Sequence, residues 1–557
     1  MAGILDKERT IAQPGFNRWL VPPAALCIHL CIGMAYGFSV FWKPLGNALV
    51  GVDGKPLVAC AAGATTFGDK LSGTLRALTA TDCNWTQFDL GWMYTLFFVV
   101  LGCSAALWGG WLERSGPRKA GFIATLCWCG GLLISALGVH LHQLWMMWIG
   151  SGVIGGVGLG LGYISPVSTL IKWFPDRRGM ATGMAIMGFG GGAMIGSPFA
   201  TLLMNMFKTP TDPGVSQTFV AMAIVYFVFM MIGAFGYRVP PAGWRPAGWT
   251  PPVADASKAM VTQRHVHLRN AHRTPQFWLL WSVLCLNVSA GIGIIGAASP
   301  MLQETFGGQL FAQPEIAFGQ FGDKEKTIAA AIGAGFVGLV SLLNIFGRFA
   351  WASSSDRLGR KATYFVFFAL GTALYVLTSL AADWKSLALF VGCVCIIASM
   401  YGGGFATIPA YLADMFGTQF VGAIHGRLLT AWSTAGILGP MIVNYLHDTR
   451  KEAQVPFDQI YGPIFYVLAG MLVLGFVANL LVRPVAENWF MTDEELAAER
   501  QLAHDKAVAA SVGGTASGDA VQARSSGGLV TAFWLLVGIP LAWGVWITVS
   551  KALILFR

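Results

Sequence analysis

The chain is poor in charge. Only 11% of its residues are Asp, Glu, Lys or Arg, against 55% hydrophobic, and the mean hydropathy is +0.60. A soluble domain carries about 25% charge, so this composition excludes an ordinary water-soluble protein. Acid is absent where it matters most: we place none of the 27 Asp and Glu well inside an apolar run. Cysteine is scarce outside those runs. Eight of the ten lie within them, where they act as small hydrophobes. The other two, Cys60 and Cys83, share one loop and are expected to pair in an oxidising compartment. The N-terminus lacks a short apolar core with a small-residue cleavage site, so no signal peptide is read and the first run directs insertion. No cofactor motif or catalytic constellation is found, so neither a cofactor nor an enzyme is expected. Glycines crowd 150–162 and 188–192, but no strand precedes them, which argues against a dinucleotide-binding loop. In packed helices they permit close, sliding contact. His265, His267 and His272 fall in one polar segment and read as solvated rather than metal-binding.

What is present is a succession of apolar runs of about 20 residues, the length that crosses roughly 30 Å of hydrocarbon. We read thirteen: 19–42, 88–111, 120–139, 144–171, 180–206, 217–237, 276–300, 327–352, 362–381, 386–412, 421–445, 460–482 and 529–555. With the N-terminus in the cytoplasm, the inner segments hold 23 Lys and Arg and the outer loops 9. That bias sets the N-terminus inside and the C-terminus outside. The net charge of +9 therefore reflects topology, and no nucleic-acid partner is expected. The polar segment 238–275 is a cytoplasmic linker between a six-helix bundle at 1–237 and another at 276–483. A flexible cytoplasmic tail, 484–528, leads to one extra span in 529–557. Two outer insertions stand out, 46–86 and 301–325. Asn84-Trp85-Thr86 in the first matches a glycosylation sequon.

The halves repeat. Glu113-Arg114-x-Gly116-x-Arg118 returns as Asp356-Arg357-x-Gly359-x-Lys361, displaced by 243 positions. Pro166 and Pro409, Gly179 and Gly422, Gly183 and Gly426, and Gly196 and Gly439 share that displacement. It covers six helices, an even number, so the halves cross the membrane in the same sense. Parallel duplication of this kind builds two bundles that rock about a central site. The segment Gly109-x-x-x-Glu113-Arg114-x-Gly116-x-Arg118-Lys119 resembles the signature loop of the major facilitator superfamily, with Glu where Asp is usual. The resemblance implies an all-α membrane fold of two parallel six-helix bundles, here with one added C-terminal helix. It also implies gating by Glu113, Arg114, Arg118, Asp356, Arg357 and Lys361.

One cation lies deep in a span. Arg348 stands eight positions before Asp356, roughly 12 Å along a regular helix. An intramembrane guanidinium costs about 2.5–3.5 kcal/mol on insertion scales and needs an anionic or carbonyl partner. With no intramembrane acid to meet it, we expect that partner to be the substrate. A guanidinium fork fits a carboxylate through two parallel hydrogen bonds. Asn344, one helical turn earlier, shares its face. The stretch Asn344-x-x-Gly347-Arg348 with Ser355-Asp356-Arg357-Leu358-Gly359-Arg360-Lys361 resembles the oxalate/formate antiporter family. So does Tyr163-x-x-Pro166 leading into Trp173-Phe174-Pro175-Asp176-Arg177-Arg178-Gly179.

That family resemblance, over 17–482, implies that Arg348 contacts a substrate carboxylate. Related monocarboxylate transporters carry an acid where Asn344 stands. Some oxalate carriers have a second deep cation in span eleven, where this chain has Ala431-Trp432, with His425 and Arg427 nearer the cytoplasm. The pocket is expected to include Tyr36, Tyr163, Tyr401 and Trp432, whose rings suit a small planar anion. His29, alone in span one, is a candidate for proton coupling.

The expected function is alternating-access transport of a small carboxylate, by oxalate/formate-type exchange, in a bacterial-type inner (plasma) membrane. The alternative is proton-linked uptake of lactate, pyruvate or formate. A reading of another class, a carboxylate-sensing receptor, lacks any recognisable signalling domain. The expected partners are the anion and the bilayer, with the chain as a monomer. The extra span resembles a single-span subunit fused through the tail.

Overall fold

A computed structural model describes residues 3–50, 56–60, 67–241, 243–250, 260–313, 316, 318–499, 501–502 and 525–553. Residues 503–524, most of the tail expected to be flexible, lie outside the described residues, as do Lys55, Arg500 and the last positions of the final span. Among the described residues the regular secondary structure is all helical, with isolated bridges only.

The N-terminal half comprises α1 (Arg18–Gly46), α2 (Gln87–Ser115), α3 (Pro117–His140), α4 (Leu144–Trp173), α5 (Arg178–Phe207) and α6 (Val215–Gly236). The C-terminal half comprises α7 (Pro275–Leu310), α8 (Asp323–Leu358), α9 (Arg360–Asp383), α10 (Leu387–Phe416), α11 (Val421–Leu428), α12 (Thr430–Glu452) and α13 (Gly462–Leu481). The final helix, α14, is Gly527–Ala552. Among the described residues twelve helices are long and apolar enough to cross a membrane, not thirteen.

The predicted span 421–445 is the exception. Its winding tightens at Leu429, where the Trp432 amide bonds the carbonyl three residues back, and the helix divides into α11 and α12. The charged end of α12 extends its helix to Glu452 while diluting its hydropathy. A second correction concerns the outer insertion at 301–325. Helix α7 continues through Pro300 to Leu310, so Glu304 sits on a helix, largely buried beside His447 at 3.0 Å.

The duplication is visible in the backbone. Gly116 ends α2 with φ +88° and Gly359 ends α8 with φ +85°, a region that penalises any residue with a Cβ. Their amides donate to Leu112 and Ser355, again 243 apart. Between the halves, α5 packs against α8 and α10, and α2 against α11 and α12. Helix α14 spans that division: it touches α1 and α5 of one half and α8 of the other. Its Trp534 indole donates to the Trp19 carbonyl, while Thr548 lies against Gly338.

The segment between α1 and α2 is a small built unit. Cys60 and Cys83 form a disulfide. The Asn84 side chain is buried and bonded to Leu49 and Leu57, which closes the sequon to glycosylation in this fold. Trp85 stacks on His142 at 4.3 Å, and the imidazole bonds the Cys83 carbonyl at 2.9 Å. Thr86 and Asp89 form a capping box at the start of α2.

Breaking the bond by Cys60→Ser is expected to destabilise this unit by about 3 kcal/mol, read as faster tryptic cleavage at Lys70 and Arg76. Reduction of the wild type should reproduce the change. Burial holds the His142 imidazole below its ordinary value of 6.5. Its stabilising contribution is therefore complete above about pH 6.5 and declines as pH falls toward the folded-state value. Cleavage at the same sites should accelerate on acidification, and His142→Gln should flatten that dependence.

Candidate functional site

Arg348 is fully buried where the halves meet. Its Nε donates to Asn344 Oδ1 at 3.1 Å and its Nη1 to the Ile186 carbonyl of α5 at 3.2 Å. Nη2 has no hydrogen-bond partner among the described residues. The guanidinium carbon lies 5.5 Å from the Phe405 ring and 5.9 Å from the Phe189 ring. Close helix contact fixes this position: a Cβ at Gly347 would meet Ser399 of α10, and one at Gly402 would meet Asn344. Two oxygens therefore hold Nε and Nη1, the Tyr36 hydroxyl stands next nearest, and Nη2 has no acceptor at hydrogen-bond distance among the described residues.

Aromatic rings surround it. Trp432 and Tyr163 are fully buried, with ring centroids 5.3 Å apart, and each is about as close to Phe189. Trp432 also packs against Phe405 at 4.7 Å. Tyr36 and Tyr401 meet across the halves, hydroxyl to hydroxyl at 3.4 Å. Arg348 interacts electrostatically with Tyr36, Tyr163 and Tyr401. The other five residues expected at the pocket thus lie around Arg348.

Several buried polar atoms there have no partner among the described residues: Tyr163 Oη, Trp432 Nε1, Asn287 Oδ1 and both ring nitrogens of His425. Buried polar atoms are rarely left so, and hydroxyl, indole and guanidinium donors match an oxyanion. A water-sized cavity lies alongside, lined by Asn287, Gly291, Tyr375 and Tyr401. Phe189, Phe405, Asn287 and the site-facing His425 were not singled out from sequence. Apolar and amide side chains in spans carry no distinguishing signal, and His425 reads from its position alone as a cytoplasmic-end residue.

At the end of the bundles where α2 gives way to α3 and α8 to α9, the two signature acids cross between halves. Asp356 accepts from the backbone amides of Gly179 and Met180, at 2.8 and 2.9 Å, where α5 begins. Glu113 accepts from the Gly422 amide at 3.0 Å, where α11 begins, and from Lys172 Nζ at 2.5 Å. Each carboxylate thus caps the positive end of a helix belonging to the other half. Arg360 joins Asp356 at 2.6 Å to Asp414 at 3.1 Å, and Arg178 reaches Asp414 at 2.8 Å.

The other expected gating residues lie elsewhere. Arg114 and Arg357 are exposed. Arg118 donates to Ile4 and Tyr237, and Lys361 to Leu480 and Val482, each within its own half. They fasten bundle ends and do not bridge them. Of the linker histidines, His267 pairs with Glu499 and His272 with Arg427. No metal-binding cluster exists among the described residues.

Two duplicated helical bundles, with a buried cation between them and crossed carboxylate caps at one end, have the architecture of a membrane carrier. The model of the Major Facilitator Superfamily matches residues 58–440 and 320–556, and the chain belongs to that superfamily. It is 26% identical over 349 residues to the oxalate:formate antiporter of Oxalobacter formigenes, covering 62% of this chain and 73% of that one. It is also 26% identical over 414 residues to apicoplast pyruvate carrier 1 of Toxoplasma gondii, covering 66% and 70%. The fold is shared with the human organic anion transporter MFSD10 (TETRAN), at a TM-score of 0.52 and 16% identity over 84% of this chain and all of that one. These relatives are transporters, not enzymes.

Proposed function

We propose that this transporter carries small carboxylate anions across a bacterial-type inner membrane by alternating access, exchanging one anion for another as oxalate is exchanged for formate. The observation that carries the reading is Arg348: fully buried, bonded at Nε and Nη1, and with no acceptor at hydrogen-bond distance from Nη2 among the described residues. A carboxylate oxygen on Nη2 would neutralise the cation, and Tyr163 and Trp432 would donate to what remains. Flat aromatic walls favour a small planar anion over a bulky one. The relatives named for oxalate, formate and pyruvate support the same class of cargo.

The crossed carboxylate caps keep the cytoplasmic side closed while the anion is held, with the N-terminus in the cytoplasm. Their release would let the bundles rock and expose Arg348 to the cytoplasm. Counterflow tests this: liposomes loaded with unlabelled oxalate should take up labelled oxalate or formate at least tenfold faster than unloaded ones. No counterflow with any small mono- or dicarboxylate would sink the reading.

A further inference from the structure

A single central cation balances a monocarboxylate and leaves a dicarboxylate one charge short. We propose that His29 supplies the missing charge conditionally: it takes up a proton when a dicarboxylate binds and stays neutral when a monocarboxylate does. This inference rests on the carboxylate reading above.

The case begins with the imidazole's neighbours. His29 is fully buried in α1, with Nδ1 2.5 Å from the Ala185 carbonyl oxygen and Nε2 3.2 Å from the Tyr163 carbonyl oxygen. A neutral imidazole donates from one nitrogen and presents a lone pair at the other. One of these two contacts then sets lone pair against lone pair. Only the imidazolium donates to both oxygens, so the backbone of α4 and α5 is arranged for the charged form.

Against that stands the rest of the surroundings. The titratable or charged groups that face His29 are Tyr163 of α4, Arg348 of α8 and His425 of α11. Helix α5 adds Gly188 and the Phe189 ring, neither of them ionisable. No carboxylate is among these groups. With the site empty, a proton on His29 meets the Arg348 cation across Phe189, whose ring lies 6.3 Å from the imidazole and 5.9 Å from the guanidinium carbon.

A bound anion changes this balance by its charge. A monoanion neutralises Arg348 and stops there. A dianion leaves one negative charge in a buried setting, which a protonated His29 cancels. Binding and protonation are linked reciprocally: whatever the dianion does for the proton, the proton does for the dianion. The proton comes from water with the entering anion and leaves with it. Exchange of a protonated dicarboxylate complex for a monocarboxylate then moves no net charge. His29 acts through charge compensation, separated from the anion by Phe189.

Calorimetric titration of the purified full chain with oxalate and with formate, at pH 7 in two buffers of different ionisation enthalpy, tests this. Expected is uptake of about one proton per oxalate and none per formate. Oxalate affinity should rise about tenfold per unit as pH falls from 8 to 6, with formate affinity flat. His29→Gln should weaken oxalate at least tenfold and leave formate within threefold. The wild-type proton count decides the question even if that variant fails to fold. Oxalate binding without proton uptake, or equal proton uptake with both anions, overturns the proposal. Formate binding with no oxalate binding overturns it too, while leaving the carboxylate reading intact. Failure to bind either anion, or any other small carboxylate, overturns both.

Discussion

Arg348→Gln is expected to lower carboxylate transport by at least 100-fold while leaving the protein as well folded as the wild type. Hydrogen bonds to charged groups contribute about 1.5–3 kcal/mol each. Two bonds from a guanidinium to a carboxylate therefore account for about 3 kcal/mol or more, or two powers of ten in affinity. The thermal midpoint should not fall, because removing an intramembrane charge removes its desolvation cost of about 2.5–3.5 kcal/mol. Arg348→Lys keeps the charge and loses the planar fork, so its transport should lie between the two, about tenfold below wild type. Labelled-anion uptake, with melting curves on the same preparations, checks all three. A folded Arg348→Gln protein that transports within threefold of wild type contradicts the site.

The second large effect is expected at the crossed caps. Asp356→Asn keeps an oxygen for only one of the Gly179 and Met180 amides, which bond one carboxylate oxygen each, and turns an NH2 toward the other; it also removes a charge beside Arg360, which keeps Asp414. Hydrogen bonds to a charged group contribute about 1.5–3 kcal/mol each, so losing one of the two bonds that cross the halves and the charge behind the other removes about 3 kcal/mol from the closed state, enough to shift the closed-to-open ratio about 100-fold. The anion site is untouched, so the maximal rate should fall more than tenfold with KM within threefold. Gly179→Val should act the same way without changing charge, since a Cβ there meets the Ala352 carbonyl and the Arg360 guanidinium. Initial rates against substrate concentration separate the two parameters. A raised KM at unchanged maximal rate would place Asp356 in binding, not gating.

The legible parts of the chain were those where composition or spacing departs from expectation. Apolar runs and the displacement of 243 gave two parallel bundles, because duplication preserves glycine and proline where helices turn or touch. A lone guanidinium in a span stood out because membranes penalise it. The division of the eleventh span at Leu429 was hidden, since hydropathy counts side chains and not the register of backbone bonds. The extension of α7 past Pro300 was hidden for a related reason: Gln303 and Glu304 look like loop residues until a helix carries them and sets Glu304 beside His447. Within the site, Phe189 and Phe405 were indistinguishable from other span aromatics. The sockets for the two acids were visible only as the repeated pair Gly179 and Gly422, with nothing to say what they receive. Arg114 and Arg357 shared the motif with Glu113 and Asp356 but point to solvent, because helical spacing turns neighbouring residues to different faces.

The crossed caps have the form of an isologous contact, the kind found at the two-fold axis of a homodimer: each side contributes the same element to the other. Here both sides belong to one chain, so symmetry is no longer enforced. A substitution in one copy is not repeated in its mate. The two contacts have accordingly diverged, one into Glu113 with Lys172, the other into Asp356 with Arg360, Asp414 and Arg178. Covalent joining has let an interface of equals become two joints of unequal strength.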